Sequence, residues 1–311
     1  MSDAPSPPES APDASDARPQ GPATAVVTGA SGGIGLEIAR ALARHGFELH
    51  LVSRGSARGS AARDAVAAEA RDGARVHFHP ADLASLADVR RVAGDLADAA
   101  PTLDLLVNNA GAYVHERSLT EDGFERTFAL NHLSPFLLTH LLHGPLAAAA
   151  APRVVTTSSS AERSGPIDLE RAAYGVPYNA LRAYGWSKQA NVHFARELAR
   201  RAPHPALRSY SFHPGFVNTN FGSGAGLLSG LVALAQRAFG RTPEQGAATG
   251  VWAATQSPAP DPNGAFLVDE AVKTPSAAAR DEAVTTALWE RSEAWVGLRD
   301  EERWPRREGA A

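Results

Sequence analysis

Along this chain of 311 residues, short apolar runs alternate with longer stretches in which apolar positions recur every three or four residues. The runs at 24–28, 48–54, 75–79, 103–107, 153–160, 207–212 and 264–268 are short, rich in Val, Leu and Phe, and read as strands. Helical periodicity fills the intervals at 36–45, about 60–71, 85–99, 124–142, the stretch around and after Tyr184, 243–255 and 281–298. Pro135, inside the fourth of these and one turn after Asn131, is expected to remove a backbone hydrogen bond and kink the helix, leaving Asn131 near a disturbed turn. No repeat or linker interrupts the alternation. The pattern therefore predicts one doubly wound α/β domain over 23–298, with a mostly or wholly parallel sheet of about seven strands and helices on both faces. Segments 161–183 and 220–240, rich respectively in turn residues and in Gly and Leu, read as walls of a substrate pocket, the second as an apolar lid. Residues 1–22 read as a disordered leader without the features of a secretory signal, and 299–311 as a charged, frayed tail.

The first strand ends at Gly29 and passes through Ala30-Ser31-Gly32-Gly33-Ile34-Gly35 into a helix, the opening of a Rossmann-type fold. Glycines there let the backbone approach a pyrophosphate, and free N–H groups with the helix dipole favour its charge. The spacing Gly29-x-x-x-Gly33-x-Gly35 has one more residue between the first two glycines than the usual dinucleotide fingerprint. At the end of the second strand, where an acid would bind a ribose 2′-hydroxyl, stand Ser53 and Arg54. A guanidinium pairs with a 2′-phosphate, so NADP is favoured over NAD. Asp82, leaving the third strand, suits either an adenine amino group or the N-cap of the helix beginning near Ser85.

Tyr184 and Lys188 lie four residues apart, on one face of a helix, where an ammonium would lower the phenol's pKa and fit it for proton transfer. The chain holds 30 Lys+Arg but only two Lys, Lys188 and Lys273. An Arg, with its wide fork and fixed charge, does not replace a compact ammonium beside a phenol, which marks Lys188 as a required lysine. Strand 153–160 ends in three serines at a sheet edge where ligands bind. A net charge of -4 without basic clusters gives no sign of a nucleic-acid partner. The absence of Cys excludes disulfides and thiolate metal sites and fits a reducing compartment, with the cytoplasm as the expected location. No apolar run is long enough for a membrane span.

Taken together, Thr28-Gly29-x-x-x-Gly33-Ile34-Gly35, Asn108-Asn109-Ala110-Gly111, Asn131, Ser159, Tyr184-x-x-x-Lys188 and Pro214-Gly215 resemble the short-chain dehydrogenase/reductase family over residues 23–298. The long interval before Tyr184, the phrase Leu130-Asn131-His132-Leu133 and the ending Pro275-Ser276 through Leu288-Trp289-Glu290 are most similar to its retinol-dehydrogenase-like and WW-domain-oxidoreductase-like branch. The resemblance implies an oxidoreductase acting on a carbonyl or alcohol, with Tyr184 as general acid or base. Lys188 would tune Tyr184 and bind the nicotinamide ribose, Ser159 would hold the substrate oxygen, and Asn131 would support a water in a proton relay. It implies further that Gly29, Ser31, Gly33, Ile34 and Gly35 cradle the phosphates, Arg54 the 2′-phosphate, Asp82 and Leu83 the adenine, Asn109 a ribose, and Pro214, Val217 and Thr219 the nicotinamide amide. The turn Ala30-Ser31-Gly32 lacks the basic residue that NADP-preferring members often carry, so NADP(H) rests on Arg54 and NAD(H) stays open. The Leu-rich lid favours an apolar small-molecule substrate. Pairing into a homodimer or homotetramer, through the helices containing Asn131 and Tyr184, is a further implication. The same residues also admit a silent NADP-binding sensor or scaffold, and a carbon–carbon double-bond reductase or epimerase.

Overall fold

Alternate residues of the central strands pack on opposite faces of a sheet, and both sets are apolar. Val26, Val52, Leu106 and Val154 join one buried cluster, while Ala25, Val27, Leu49, Leu51, Leu105 and Val155 join another. A sheet apolar on both faces needs helices on both. In the computed structural model, residues 21–71, 73–216 and 241–304 are described. The strands are β1 (Thr24–Thr28), β2 (Glu48–Ser53), β3 (Val76–Pro80), β4 (Leu105–Asn108), β5 (Arg153–Thr157), β6 (Arg208–His213), β7 (Phe266–Val268) and β8 (Ala271–Lys273). They form one sheet in the order β3-β2-β1-β4-β5-β6-β7-β8. All neighbours are parallel except β7 and β8. The order reverses between β1 and β4, which opens a crevice at the carboxyl ends of those strands.

The eighth strand lies beyond the seven expected. It returns from β7 through Asp269 and Glu270, both with positive φ (53° and 55°). Such a turn ordinarily uses Asn-Gly or Asp-Gly, so Asp-Glu carries no hairpin signal in the sequence.

One face of the sheet carries α1 (Gly33–Arg44), α2 (Ser56–Ala67) and α9 (Pro243–Thr255), the last opened by a capping box between Thr242 and Gln245. The other carries α3 (Leu86–Ala99), a rod running through α4 (Arg126–Phe128), a π-helical turn (Ala129–Leu133) and α5 (Ser134–Leu141), then α6 (His143–Ala148), and α8 (Ala180–Arg201). The segment before Tyr184, expected to lack standard elements, holds a 3-10 turn (Ser160–Arg163) and α7 (Leu169–Tyr174).

The expected kink at Pro135 takes another form. Pro135 sits in the first turn of α5, where a missing N–H costs little. The disturbance falls one turn earlier, where the N–H of Ser134 reaches back to the carbonyl of Ala129, a π-type bond. In an α-helix the carbonyl of Asn131 would accept from residue 135, which as proline has no N–H. It accepts instead from Nδ2 of Asn191, at 2.9 Å.

The final helix, α10 (Glu282–Trp295), lies across α5 and α8. His132 Nε2 meets Ser292 Oγ at 3.0 Å, and His193 Nδ1 meets Thr285 Oγ1 at 2.7 Å. The ring of Trp289 packs 5.0 Å from Phe136 and 6.1 Å from Phe194, with the Arg201 guanidinium 5.2 Å from its centroid. The helices through which copies were expected to pair are thus covered, on this face, by the chain's own last helix. Nor does the chain fray at Arg299. A 3-10 turn at Asp300–Glu302 follows, Glu302 pairs with Arg90 of α3, and Trp304 is buried beside His143. Burial alone would raise the pKa of Glu302, but the Arg90 and Arg299 guanidinia hold it at about 2. No helix among the described residues is long and apolar enough to cross a membrane.

Trp289 is 3% exposed and fills the junction of three helices. Replacing it with Ala is expected to lower unfolding stability by about 3–5 kcal/mol, read from urea denaturation. A change under about 1 kcal/mol would mean that α10 is not part of the core.

Candidate active site

The glycine turn after β1 is built by two close approaches. Gly29 has φ +69°, and a Cβ there would come within 2.9 Å of the Ala110 backbone. A Cβ on Gly35 would lie 2.4 Å from both the Gly29 carbonyl oxygen and Nδ2 of Asn109. The turn and the end of β4 are in contact, and only hydrogen fits between them. Helix α1 starts behind this turn with Gly32 as N-cap, no capping side chain and no acid in its first turn. Its N-terminal donors therefore have no carboxylate or hydroxyl of their own to satisfy them, which suits an anionic phosphate. Ser31 and Ile34 flank it, both partly exposed.

Thr28 and Asn109 hold the crevice. The Thr28 hydroxyl accepts from the N–H groups of Asn109 and Ala110, each at 3.0 Å. Nδ2 of Asn109 donates to the Thr28 carbonyl at 3.1 Å, and its Oδ1 accepts from the Thr157 hydroxyl at 3.3 Å. The Asn109 side chain is thus spent on joining β1, β4 and β5. Arg54, exposed, follows β2 directly, and Arg58 lies one turn on in α2. Asp82 does not cap α3. Ser85 does, accepting from the Asp88 N–H, while Asp82 accepts from the Ala84 N–H at 3.1 Å in a turn of its own. Leu83 is buried beside it. Pro214 follows β6, with Gly215 packed against Arg241. Val217, Thr219 and the expected lid at 220–240 lie outside the described residues.

Tyr184 sits in the second turn of α8, whose N-cap is Asn179. Ser159, which caps the following 3-10 turn, stands near enough to the Tyr184 phenol to act against the rise in its pKa. Its neighbour Ser158 is fully buried and donates instead to the Lys188 carbonyl at 2.7 Å. Lys188 Nζ donates to the Thr157 carbonyl at 3.1 Å and lies 5.6 Å from the Tyr184 ring centroid. Asn131 Oδ1 accepts from the Ala112 N–H at 2.8 Å, and its Nδ2 donates to the Ala112 carbonyl and to Ser187 Oγ. At Gly111 a Cβ would lie 3.0 Å from Asn131 Oδ1 and 3.4 Å from Lys188 Nζ. The four side chains thus stand around the carboxyl ends of β4 and β5.

Asn191 was missed as a site residue. Its Nδ2 also donates to the Thr157 carbonyl, at 3.0 Å, the same oxygen that Lys188 uses. The signal available was its place one turn beyond Lys188 on the face of Tyr184.

The electrostatics depart from the expectation that Lys188 brings the phenol's pKa down. Burial pushes Tyr184 up to about 12, with only the Ser159 hydrogen bond acting the other way. Burial likewise pulls Lys188 down to about 8. Desolvation penalises the charged form of each and outweighs their proximity.

The model of the family described as short chain dehydrogenase matches residues 23–226. The chain belongs to that family. Retinol dehydrogenase 14 of Homo sapiens is 36% identical over 290 residues, covering 88% of this chain and 86% of that one. Polyprenol dehydrogenase of Mus musculus is 38% identical over 281 residues, covering 87% and 83%. Among solved structures, a short chain dehydrogenase from Burkholderia cenocepacia in complex with NADP is similar at a TM-score of 0.63 and 26% identity, covering 79% and 95%. These relatives put this short-chain dehydrogenase in the retinol-dehydrogenase-like branch, whose chemistry is nicotinamide-nucleotide-dependent oxidoreduction at alcohol and carbonyl groups.

In a Lys273→Arg variant Lys188 is the sole lysine. Its 15N ammonium resonance is expected to titrate near pH 8. A midpoint above about 10, the ordinary lysine range, would show a solvated side chain.

Proposed function

We propose that this short-chain dehydrogenase reduces the carbonyl of an apolar small molecule with NADPH, or oxidises the corresponding alcohol with NADP. The observation that carries the reading is the buried Tyr184–Lys188 pair, with Ser159 beside the phenol, next to a glycine turn that leaves room for a dinucleotide. When bound, the nucleotide would supply the hydride. Ser159 and Tyr184 hold the substrate oxygen between two hydroxyls, and Tyr184, kept neutral by burial, gives that oxygen its proton. The phenolate left behind needs a cation close by, and Lys188 supplies it. Asn131 and Asn191 hold Lys188 and the 111–112 backbone in register, and a water on this network would carry the replacement proton.

The sign of the pH dependence follows. Lys188 is charged below about 8 and loses that charge above it, while Tyr184 stays protonated to about 12. With saturating NADPH, kcat/KM for reduction is expected to fall as pH rises through about 8, and Tyr184→Phe to lose about 10²–10⁴-fold at every pH with NADPH binding intact. Undiminished turnover in that variant would overturn the mechanism.

For the nucleotide, Arg54 directly after β2 and Arg58 in the first turn of α2 are the exposed cations on offer to a 2′-phosphate, and Gly29, Ser31, Gly33, Ile34 and Gly35 would take the pyrophosphate. Asp82 and Leu83 would border the adenine, and Asn109, Pro214, Val217 and Thr219 the path to the nicotinamide. Arg54→Ala is expected to weaken NADPH at least about tenfold and NADH less than about twofold, by fluorescence titration. Tighter NADH than NADPH in the wild type would reverse the assignment.

For the substrate, Phe216, Leu181 and Val176 are 74%, 65% and 61% exposed, on the segments that follow β6 and run into α8, and would give the site an apolar rim. The Tyr113 ring stands 5.7 Å from that of Tyr184, and the Tyr178 hydroxyl donates to the Val114 carbonyl, tying the 175–179 loop to the 112–115 segment. Two of the relatives are named for long apolar alcohols, retinol and polyprenol. An extended hydrophobic alcohol or its aldehyde suits this rim.

A further inference from the structure

At the edge of the sheet furthest from β8, on the side covered by α3, three histidines and a glutamate share one face. Glu48 and His50 are two residues apart on β2, and His77 and His79 two apart on β3, so each pair points the same way. The register puts His50 opposite His77 and Val52 opposite His79. Donor atoms of Glu48, His50 and His77 all lie within 4.8 Å of one another. His77 Nε2 is 3.2 Å from Glu48 Oε1, and the rings of His50 and His77 stack at 4.8 Å. A tetrahedral ion with bonds near 2 Å holds its ligand atoms about 3.3 Å apart, which matches the present His77–Glu48 separation, and His50 offers a ring nitrogen within 4.8 Å of both.

His50 supplies the independent sign. It is 1% exposed, its Nδ1 lies 3.0 Å from His79 Nε2, and its Nε2 has no hydrogen-bond partner among the described residues. One of the two imidazoles must provide the hydrogen of that bond. If His50 does, its own Nε2 is a buried lone pair with nothing to accept; if His79 does, the Nε2 of His50 carries a buried hydrogen with nothing to receive it. The first tautomer is that of a metal ligand, with the second histidine fixing the ring behind it. Arg75 flanks Glu48 at 3.1 Å from the solvent side, and Arg91 and Asp95 of α3 face His79.

We propose that Glu48, His50 and His77 form a binding site for a divalent transition-metal ion of the zinc type, with His79 orienting His50. Two imidazoles and one carboxylate suit zinc, cobalt or nickel, and are poor for magnesium or calcium, which take oxygen ligands. With His77 41% exposed at its side chain, an ion has a path in from the open edge of β3. The residues lie on β2 and β3, apart from Ser159, Tyr184 and Lys188, and the site is independent of the proposed catalysis.

The test uses the full chain without an affinity tag, stripped with chelator and dialysed. Zinc titrated against a chromogenic chelator is expected to bind at about one equivalent per chain and to raise Tm. Cobalt in its place should give the intense visible absorption of a tetrahedral site. His77→Ala and Glu48→Gln, changes at the edge strand and at its solvent side, should each weaken zinc at least about tenfold, whereas Tyr184→Phe should leave it unchanged. Magnesium should not compete. Equal zinc affinity in the wild type and the His77→Ala/Glu48→Gln double variant would overturn the proposal, whatever the enzyme's activity.

Discussion

One backbone oxygen, the carbonyl of Thr157, receives both the Lys188 ammonium and the Asn191 amide. It ends β5 and so belongs to the sheet, while both donors belong to α8. This double bond to one acceptor sets the depth at which α8 docks, and with it the distance of Tyr184 from Ser159. Asn191 reaches further, to the Asn131 carbonyl that Pro135 leaves without an amide. A proline, an orphaned carbonyl and an amide 60 residues away in the chain are one device. It locks the π-turn that carries Asn131 to the helix that carries Tyr184.

The same packing governs the charges. Because α8 docks closely, Tyr184 and Lys188 are both stripped of water, and each is driven toward its neutral form. An ammonium four residues along the helix does not dominate the phenol. Desolvation wins instead. The neutral phenol suits donation to a carbonyl oxygen, and the lysine's charge matters most once a phenolate has formed.

What could be read from the chain follows from which constraints are local. The glycine turn was legible because Gly29 needs a left-handed φ and Gly35 a contact that no side chain permits. The strands were legible because both faces of each are apolar, and Tyr184 and Lys188 because four residues along a helix share a face. Residues whose role depends on a distant partner were not. Asn191 has meaning only beside Pro135 and Thr157, and the division of labour between Ser158 and Ser159 depends on where α8 lies. The turn at Asp269-Glu270 holds its positive φ through its surroundings rather than through a glycine. The tail looked frayed because its charges promise solvation, whereas Glu302 has Arg90 waiting on α3 and Trp304 has His143.

That last clasp bears on how the molecule is made. Arg90 lies in the first third of the chain, and its guanidinium also caps the carbonyls of Val296 and Gly297, each at 3.0 Å. The outer surface of α5 and α8 and one end of α3 acquire their cover only when residues 282–304 arrive. During synthesis the nucleotide-binding half emerges first, with apolar helix faces still open to water. Arrival of residues 282–304 is therefore the event that covers this face, and chains released short of them would carry a sheet with an adhesive flank.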